Sequence, residues 1–275
     1  MTDDDAIDRA AEALASARYA VALVGAGISV ESGIPPFRGP GGLWTKHGEP
    51  PMDGYQRMVL DRQAYWRDIR ARRAAASSDE FARAISEAVP NEGHFALARL
   101  EEIGVLKHTI TQNIDNLHHT AGQRALSEVH GNRTKLRCID CEARWPFDEF
   151  PGGDVLAGEE APDCPRCGGF VKSDTVMFGE PIPRSVLAEC HAQAERADCM
   201  LIAGTSATVT PAAWFPEMVR ERGGALIEVN TEPTPFSRAC VASLRGPSGV
   251  LLPQMVARVE VLLSARGGAQ EETPR

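Results

Sequence analysis

The chain has 275 residues, of which 43% are hydrophobic and 24% are charged, as is usual for a globular protein with a sizeable core. This length allows one large domain, or one domain that carries a smaller insertion. The net charge of −9 and the pI near 5.3 argue against a chain-wide electrostatic grip on nucleic acid or on an anionic membrane. We therefore expect neither among the partners of the chain.

The first residues are acidic and then amphipathic, which predicts a helix over 4–17. They lack the apolar core and cleavage site of a signal peptide. We identify no apolar run that approaches the ~20 residues needed to span a bilayer. A cytoplasmic location is the resulting expectation.

Short apolar runs that end in glycine or polar residues predict buried strands of a parallel sheet. These runs cover 19–27, 104–113, 198–206 and 224–230. Helical patterns separate them at 92–103, 184–196 and 211–222. Because strand alternates with helix, the predicted fold class is α/β, a Rossmann-like parallel sheet with right-handed crossovers.

Two segments interrupt this alternation, one Arg/Ala-rich with a helical pattern and one rich in Cys, Pro and Gly. We predict that they form a smaller domain beside a nucleotide-binding type of sheet domain. The predicted sheet domain comprises 1–45, 91–133 and 175–265, the helical insertion 46–90, the zinc-binding insertion 134–174, and a frayed tail 266–275.

Two Cys-x-x-Cys pairs, "CIDC" and "CPRC", carry the most specific single signal. Their cysteines are Cys138, Cys141, Cys164 and Cys167, with 22 residues between the pairs. Four thiolates at this spacing predict one structural zinc ion with no open coordination position. A redox pair or coincidence is the alternative.

A glycine-rich loop, "GAGISVESGIPPFRG" (25–39), follows the first predicted strand. Its glycines allow close approach to a phosphate, but Val30 stands where a dinucleotide fingerprint has its third glycine. Phe37 and Arg38 could cover a ring and pair with a pyrophosphate. The loop alone is weak evidence for a nucleotide.

The stretch "TQNIDNLHHTAG" (111–122) concentrates polar side chains directly after a predicted strand. Such groups are costly to bury without partners, and a polar surface loop is the simpler interpretation. However, "GTS" (204–206) and "VN" (229–230) also close strands. Because parallel strands end at one edge, we expect these polar ends to meet in one ligand-binding crevice.

His130 lies in "EVHGN" (128–132), between the polar stretch and the first cysteine pair. A lone histidine is usually structural. This position makes His130 a candidate general base.

In their order, these motifs together with "VMFGEPIP" resemble the sirtuins, the NAD-dependent protein-lysine deacylases, over roughly residues 19–255. The resemblance implies NAD as cosubstrate, one structural zinc ion, and acylated-lysine proteins or peptides as partners. It implies that the acyl oxygen attacks the ribose carbon as nicotinamide leaves. His130 would then act as base for the ribose hydroxyls, and water would release free lysine and O-acyl-ADP-ribose.

The resemblance also assigns roles to individual residues. Catalytic roles fall on His130, Asn113 and Asp115. Cofactor contacts fall on Gly25, Ala26, Gly27, Ile28, Ser29, Phe37, Arg38, Gln112, Asn113, Ile114, Asp115, Gly204, Thr205, Ser206, Asn230, Glu232 and Ser248. Substrate contacts fall on Ile69, Arg72, Val176, Phe178 and Gly179.

Two departures from the family pattern concern the cofactor loop and the acyl pocket. Pro36 stands where the family more often has Asp or Thr, and proline donates no backbone hydrogen bond. One sirtuin branch holds acidic acyl groups with a Tyr-x-x-Arg pair. In "AYWRDIRARR" our alignment places Ile69 and Arg72 at the positions of this pair. The alternative interpretation is that the Arg-rich stretch is only a solvated basic face of a helix. We expect acetyl-lysine to be accepted and acidic acyl groups to be poor substrates.

Two other functions remain open on the sequence. The same site could perform mono-ADP-ribosyl transfer or NAD hydrolysis, because an activated ribose reacts with other nucleophiles. A zinc-ribbon module that only binds a nucleotide or nucleic acid is a third interpretation. The acidic net charge and the combination of His130, Asn113 and Asp115 disfavour that third interpretation.

Overall fold

The computed structural model describes residues 3–38, 41–75 and 79–271, which form two sheets and the helices around them. A six-stranded parallel sheet has the order β3-β2-β1-β7-β8-β9. A three-stranded antiparallel sheet has the order β5-β4-β6. The strands are β1 (Ala20–Val24), β2 (Leu106–Thr111), β3 (Leu126–Glu128), β4 (Lys135–Cys138), β5 (Arg144–Pro146), β6 (Val171–Ser173), β7 (Cys199–Ala203), β8 (Ala225–Asn230) and β9 (Ala242–Arg245).

Helices cover both faces of the large sheet, so its central strands are apolar on both sides. All five residues of β1 are buried, and so are all five of β7. The helices are α1 (Asp3–Ser16), α2 (Leu43–His47), α3 (Gly54–Leu60), α4 (Arg62–Ala74), α5 (Glu80–Glu87), α6 (Glu92–Glu102), α7 (Leu117–Thr120), α8 (Arg184–Arg196), α9 (Trp214–Glu221) and α10 (Ser248–Glu271). This architecture confirms the predicted α/β Rossmann-like fold.

One core layer packs α1, α6 and α10 against the sheet, and the other packs α8 and α9 against its opposite face. By length and composition alone, Ser248–Arg266 of α10 could cross a bilayer, contrary to our interpretation of the sequence. Leu252, Met255 and Val259 of this helix are nevertheless fully buried in the first layer. The helix thus has an apolar face that the domain core covers.

The small antiparallel sheet packs against helices of the segment 46–90, and together they have a hydrophobic core of their own. Trp66 of α4 is fully buried there, and its indole N–H donates to the Val171 carbonyl oxygen of β6 at 2.8 Å. Met58 of α3 and Leu136 of β4 belong to the same cluster. The two interruptions of the α/β alternation are therefore joined by packing.

Three features differ from the expectations drawn from the sequence. The short strands β3 and β9 were not expected, because three or four partly polar residues give no readable period. The segment 46–90 contains several short helices, since Gly48 and the pair Pro50-Pro51 interrupt the helical pattern. The last helix continues through residue 271, into the segment 266–275 that was expected to be a frayed tail.

Candidate active site and metal centre

The carboxyl ends of β1 and β7 meet through backbone atoms alone. The amide of Gly27 donates to the Gly204 carbonyl oxygen at 2.7 Å, and the turn continues into a 3-10 helix from Ala26 to Ser32. Gly204 has φ of +59°, and a Cβ there would lie 2.3 Å from the amide nitrogen of Ile28. Any side chain at Gly204 would therefore push the two strand ends apart.

Polar side chains from the end of β2 lie on this glycine junction. Asn113 donates from Nδ2 to the Gly25 carbonyl oxygen at 3.1 Å and to the Ser29 hydroxyl at 3.2 Å. The Ser29 hydroxyl donates in turn to Asp115 Oδ2 at 2.7 Å. Because the other Asp115 oxygen accepts from the Leu117 amide, the carboxylate is held from two directions.

The ends of β7 and β8 join the same edge. Gln112 Nε2 donates to Thr205 Oγ1 at 2.9 Å, and Asn230 Nδ2 donates to the Thr205 carbonyl oxygen at 2.9 Å. The four strand ends that the sequence placed at one crevice, at Gly27, Asn113, Gly204 and Asn230, thus lie together in space.

His130 lies beside this group, in the loop that follows β3. Its Nδ1 is 3.0 Å from the Gln112 carbonyl oxygen, which can only accept. Nδ1 therefore carries the proton, and Nε2 keeps its lone pair as a base. Burial lowers the pKa of His130 below 6.5, although the bond to Gln112 opposes that shift. The imidazole is consequently neutral near pH 7.

The buried carboxylate of Glu128 binds residues in and beside the loop that contains His130. Glu128 accepts from Asn132 Nδ2 at 2.5 Å and from Lys135 Nζ at 2.8 Å, and it pairs with His119. Burial raises the pKa of Glu128, but the bonds from His119, Lys135 and Asn132 outweigh it and lower the pKa to about 2. Asn132 also donates to Asn116 Oδ1 at 2.8 Å. Asn116 and His119 of the polar stretch therefore bind buried polar groups of the protein, a role that the sequence analysis missed.

The predicted cofactor loop contacts the predicted substrate segment through aromatic side chains. The Phe37 ring is 5.1 Å from the Trp44 ring, which is 5.3 Å from the Phe178 ring. Arg38 stacks over Trp44 at 4.5 Å and pairs with Glu49 at 3.2 Å. Trp44 thus joins the loop to the segment.

The substrate segment also touches the His130 loop. The amide of Val176 donates to the His130 carbonyl oxygen at 2.8 Å. Gly179 lies against the Met52 carbonyl oxygen, which a Cβ would approach to 2.6 Å. Of the two predicted acyl-pocket residues, Ile69 packs against the core of the small domain and Arg72 is exposed.

The remaining predicted cofactor residues occupy different environments. Ile28 is fully buried in the main core, so only its backbone faces the crevice region. Ser248 is buried at the start of α10, and Ile114 is half-buried. Ser206 and Glu232 are exposed. Their contacts with a ligand stay predictions.

The four paired cysteines form one compact cluster in the small domain. All four Sγ atoms lie within 4.8 Å of one another, with 3.6 Å between Cys138 and Cys167 and 3.7 Å between Cys141 and Cys164. A tetrahedral ion with Zn–S bonds of ~2.3 Å places its ligands about 3.8 Å apart. The donor set therefore fits one structural zinc ion.

Comparison with known proteins identifies the family. A model described as Sir2 family matches residues 25–211, more than half of the chain. The chain belongs to the Sir2 family. This match confirms the resemblance to the sirtuins that the order of the motifs indicated.

Relatives of this Sir2-family protein cover almost its whole length. An NAD-dependent protein deacylase of Thermococcus kodakarensis is 42% identical over 263 residues, 94% of this chain and 98% of the relative. NAD-dependent protein deacylase 1 of Archaeoglobus fulgidus is 39% identical, over 91% of this chain and 97% of the relative.

Solved structures agree with this assignment. A mutant Sir2 homologue in complex with ADP-ribose has a TM-score of 0.75 at 38% identity, covering 92% of this chain and 96% of that one. A Sir2Af2 structure with a myristoylated histone peptide has a TM-score of 0.64 at 33% identity, covering 95% and 99%.

Proposed function

We propose that this Sir2-family protein removes acyl groups from protein lysines and uses NAD as cosubstrate, with nicotinamide and O-acyl-ADP-ribose as products. The observation that carries the proposal is the convergence of the neutral, half-buried imidazole of His130 with the Asn113–Ser29–Asp115 group at one sheet edge. The names of the relatives and the ADP-ribose and acyl-peptide ligands of similar structures support it.

This sheet edge suits a dinucleotide because backbone groups and hydrogen-bonding side chains meet there. Gly27 and Gly204 keep side chains out of the junction of β1 and β7, and Thr205 and Asn230 lie at the strand ends where phosphates and adenosine would be held. When bound, NAD supplies an activated ribosyl carbon and nicotinamide as leaving group. Ser29 would orient Asp115, since its hydroxyl already donates to that carboxylate.

His130 would move the proton that acyl transfer requires. Its Nε2 is free to accept because Nδ1 is committed to Gln112. Since its pKa lies below 6.5, the base form predominates at neutral pH without a separate deprotonation step. Val176 would place the substrate backbone beside this base, because its amide is bonded to the His130 carbonyl oxygen.

The test incubates the protein with NAD and an acetyl-lysine peptide and identifies the products by mass spectrometry. We expect free lysine peptide, nicotinamide and O-acetyl-ADP-ribose. His130→Ala should lower turnover by roughly 10² to 10⁴, as loss of a positioned base does. Nicotinamide exchange should be less affected, since nicotinamide leaves before the base acts. Near-wild-type deacylation by the variant would remove His130 from the mechanism, and a labelled protein without free lysine would indicate ADP-ribosyl transfer instead.

A further inference from the structure

Four charged side chains are almost completely withdrawn from solvent in the small domain. The side chains of Arg137, Asp174, Lys172 and Glu180 are 3%, 0%, 0% and 2% exposed. Arg137 bridges the two carboxylates, at 3.1 Å to Asp174 and 2.5 Å to Glu180, and Lys172 lies 3.0 Å from Glu180. Such a network is weak evidence for stability, because apolar residues of similar volume often stabilise a fold as well or better.

The network also binds backbone groups, at Asn132 in the His130 loop and at Thr175 and Met177. Asp174 Oδ2 accepts from the Asn132 amide at 3.0 Å. Lys172 Nζ donates to the Thr175 carbonyl oxygen at 2.7 Å, and Glu180 Oε2 accepts from the Met177 amide at 2.8 Å. The charges therefore hold the backbone at both the His130 loop and the segment 175–177.

The segment 174–180 needs such partners because it belongs to neither sheet. The Asp174 amide still donates to the Lys135 carbonyl oxygen of β4, but residues 175–180 pair with no strand among the described residues, and residues 175–178 are half-buried. Gly131 brings the two pieces of chain into contact. It has φ of +75°, and a Cβ there would lie 2.0 Å from the Asp174 carbonyl oxygen. The segment and the His130 loop are thus in direct backbone contact, which the Val176 amide reinforces by donating to the His130 carbonyl oxygen.

We propose that Lys172 and Glu180 are positioning residues that hold residues 175–177 in the conformation that receives the acyl-lysine backbone. This inference rests on the proposed function. Asp174 extends the same role to the His130 loop through the Asn132 amide. A peptide that binds along this segment meets hydrogen-bonding groups already fixed in place, which reduces the entropy lost on binding.

The decisive variant replaces the pair, Lys172→Met together with Glu180→Met. It removes one positive and one negative charge, leaves Arg137 paired with Asp174, and deletes the two side-chain bonds to Thr175 and Met177. We expect the KM for acyl peptide to rise about tenfold or more, with the KM for NAD within about twofold of wild type. Exchange of the Met177 amide hydrogen should accelerate by a similar factor.

Glu180→Gln serves as the conservative comparison, because its amide oxygen can still accept from the Met177 amide. We expect its Met177 exchange and peptide KM to lie between wild type and the double variant. Asp198→Asn is the matched control. Asp198 also binds an arginine and two backbone amides, those of Arg18 and Tyr19, but it lies where β1 and β7 begin, at the opposite edge of the sheet. It should lose stability without a change in peptide KM.

Wild-type peptide KM and Met177 exchange in both Glu180 variants would overturn the proposal. So would an equal rise in the KM for NAD and for peptide, or a rise in peptide KM for Asp198→Asn, since each indicates general loosening. If the double variant does not fold, Glu180→Gln decides on the same readouts. A wild-type protein that turns over no acyl peptide would defeat the proposed function instead, because amide exchange requires no turnover.

Discussion

Two influences act on the pKa of His130 in opposite directions, since burial lowers it and the hydrogen bond to the Gln112 carbonyl raises it. The Gln112 carbonyl fixes the proton on Nδ1, and burial keeps the imidazole neutral. Asn132, two residues further on, is held by Glu128 through Nδ2 and by Asp174 through its amide. The pKa of Glu128 is lowered to about 2, so its carboxylate stays ionised near neutral pH and the support of Asn132 does not change there with pH.

We expect side chains of the helical insertion to influence acyl preference, and we expect acetyl-lysine to be preferred over succinyl-lysine. Ile69 offers no hydroxyl, and an apolar wall disfavours a desolvated carboxylate. The exposed Arg72 could still pair with an acidic acyl group, but an ion pair in solvent contributes only about 0–1 kcal/mol. Values of kcat/KM for matched acetyl and succinyl peptides measure the outcome. A higher value for succinyl that Arg72→Met selectively removes would reverse this expectation.

At the scale of elements, we expect the small domain to depend on a bound zinc ion, because β4, β5 and β6 have only four, three and three residues. Sheets of this size are marginal alone, and zinc binding supplies folding free energy. We expect one zinc per chain by elemental analysis, and a lower unfolding temperature after chelation or in Cys141→Ala. Cys240→Ala, outside the cluster, should keep the metal. Full stability of Cys141→Ala, or purified protein without zinc, would contradict this role.

The sequence predicted those elements whose residues follow a regular pattern. The strands β1 and β7 are unbroken apolar runs that stop at glycine, and the paired cysteines have a spacing that few other sites share. Polar strand ends located the crevice because parallel strands end at one edge. Short-range patterns therefore sufficed wherever local chemistry determines the structure.

The buried charges could not be recognised in this way. Arg137, Lys172, Asp174 and Glu180 look like ordinary surface residues in the sequence, and only tertiary packing removes them from water. Glu128 is similar, since its partners come from three different segments. The one usable signal was their position in the sequence, because each of these residues lies within seven positions of His130 or of the segment 176–179.

At the scale of the whole molecule, the site forms where the carboxyl edge of the large sheet meets the small domain. The sheet supplies Asn113, Asp115 and His130, and the Arg137 network fixes the segment that faces them. Trp44 adds a second connection, between the cofactor loop and Phe178. Loss of the zinc-bearing sheet should therefore affect substrate binding more than the fold of the large sheet.

Acid should destabilise the whole molecule, beginning below pH 6.5, because burial lowers the pKa of four histidines, His94, His108, His118 and His130. Burial and the neighbouring His118 lower the pKa of His94 to about 3, and burial also lowers the pKa of His118. Their rings are 5.1 Å apart, and among the described residues neither Nε2 has a hydrogen-bond partner. A proton on either ring would be a buried, unpaired charge.

The sign follows from linkage. Between pH 6.5 and the lowered pKa of the folded state, the unfolded chain binds a proton that the folded chain does not. The contribution to stability is therefore complete above pH 6.5 and falls as the pH decreases. For each such histidine the free energy of unfolding falls by about 1.4 kcal/mol per pH unit. Urea unfolding between pH 8 and 5 measures this slope, above the range where Glu128 titrates. His94→Phe should reduce the slope by about one proton. Asn91→Ala breaks the cap of the same helix but keeps both histidines, so it should lower stability equally at every pH. An unchanged slope in His94→Phe would show that His94 has the same pKa in the folded and the unfolded protein.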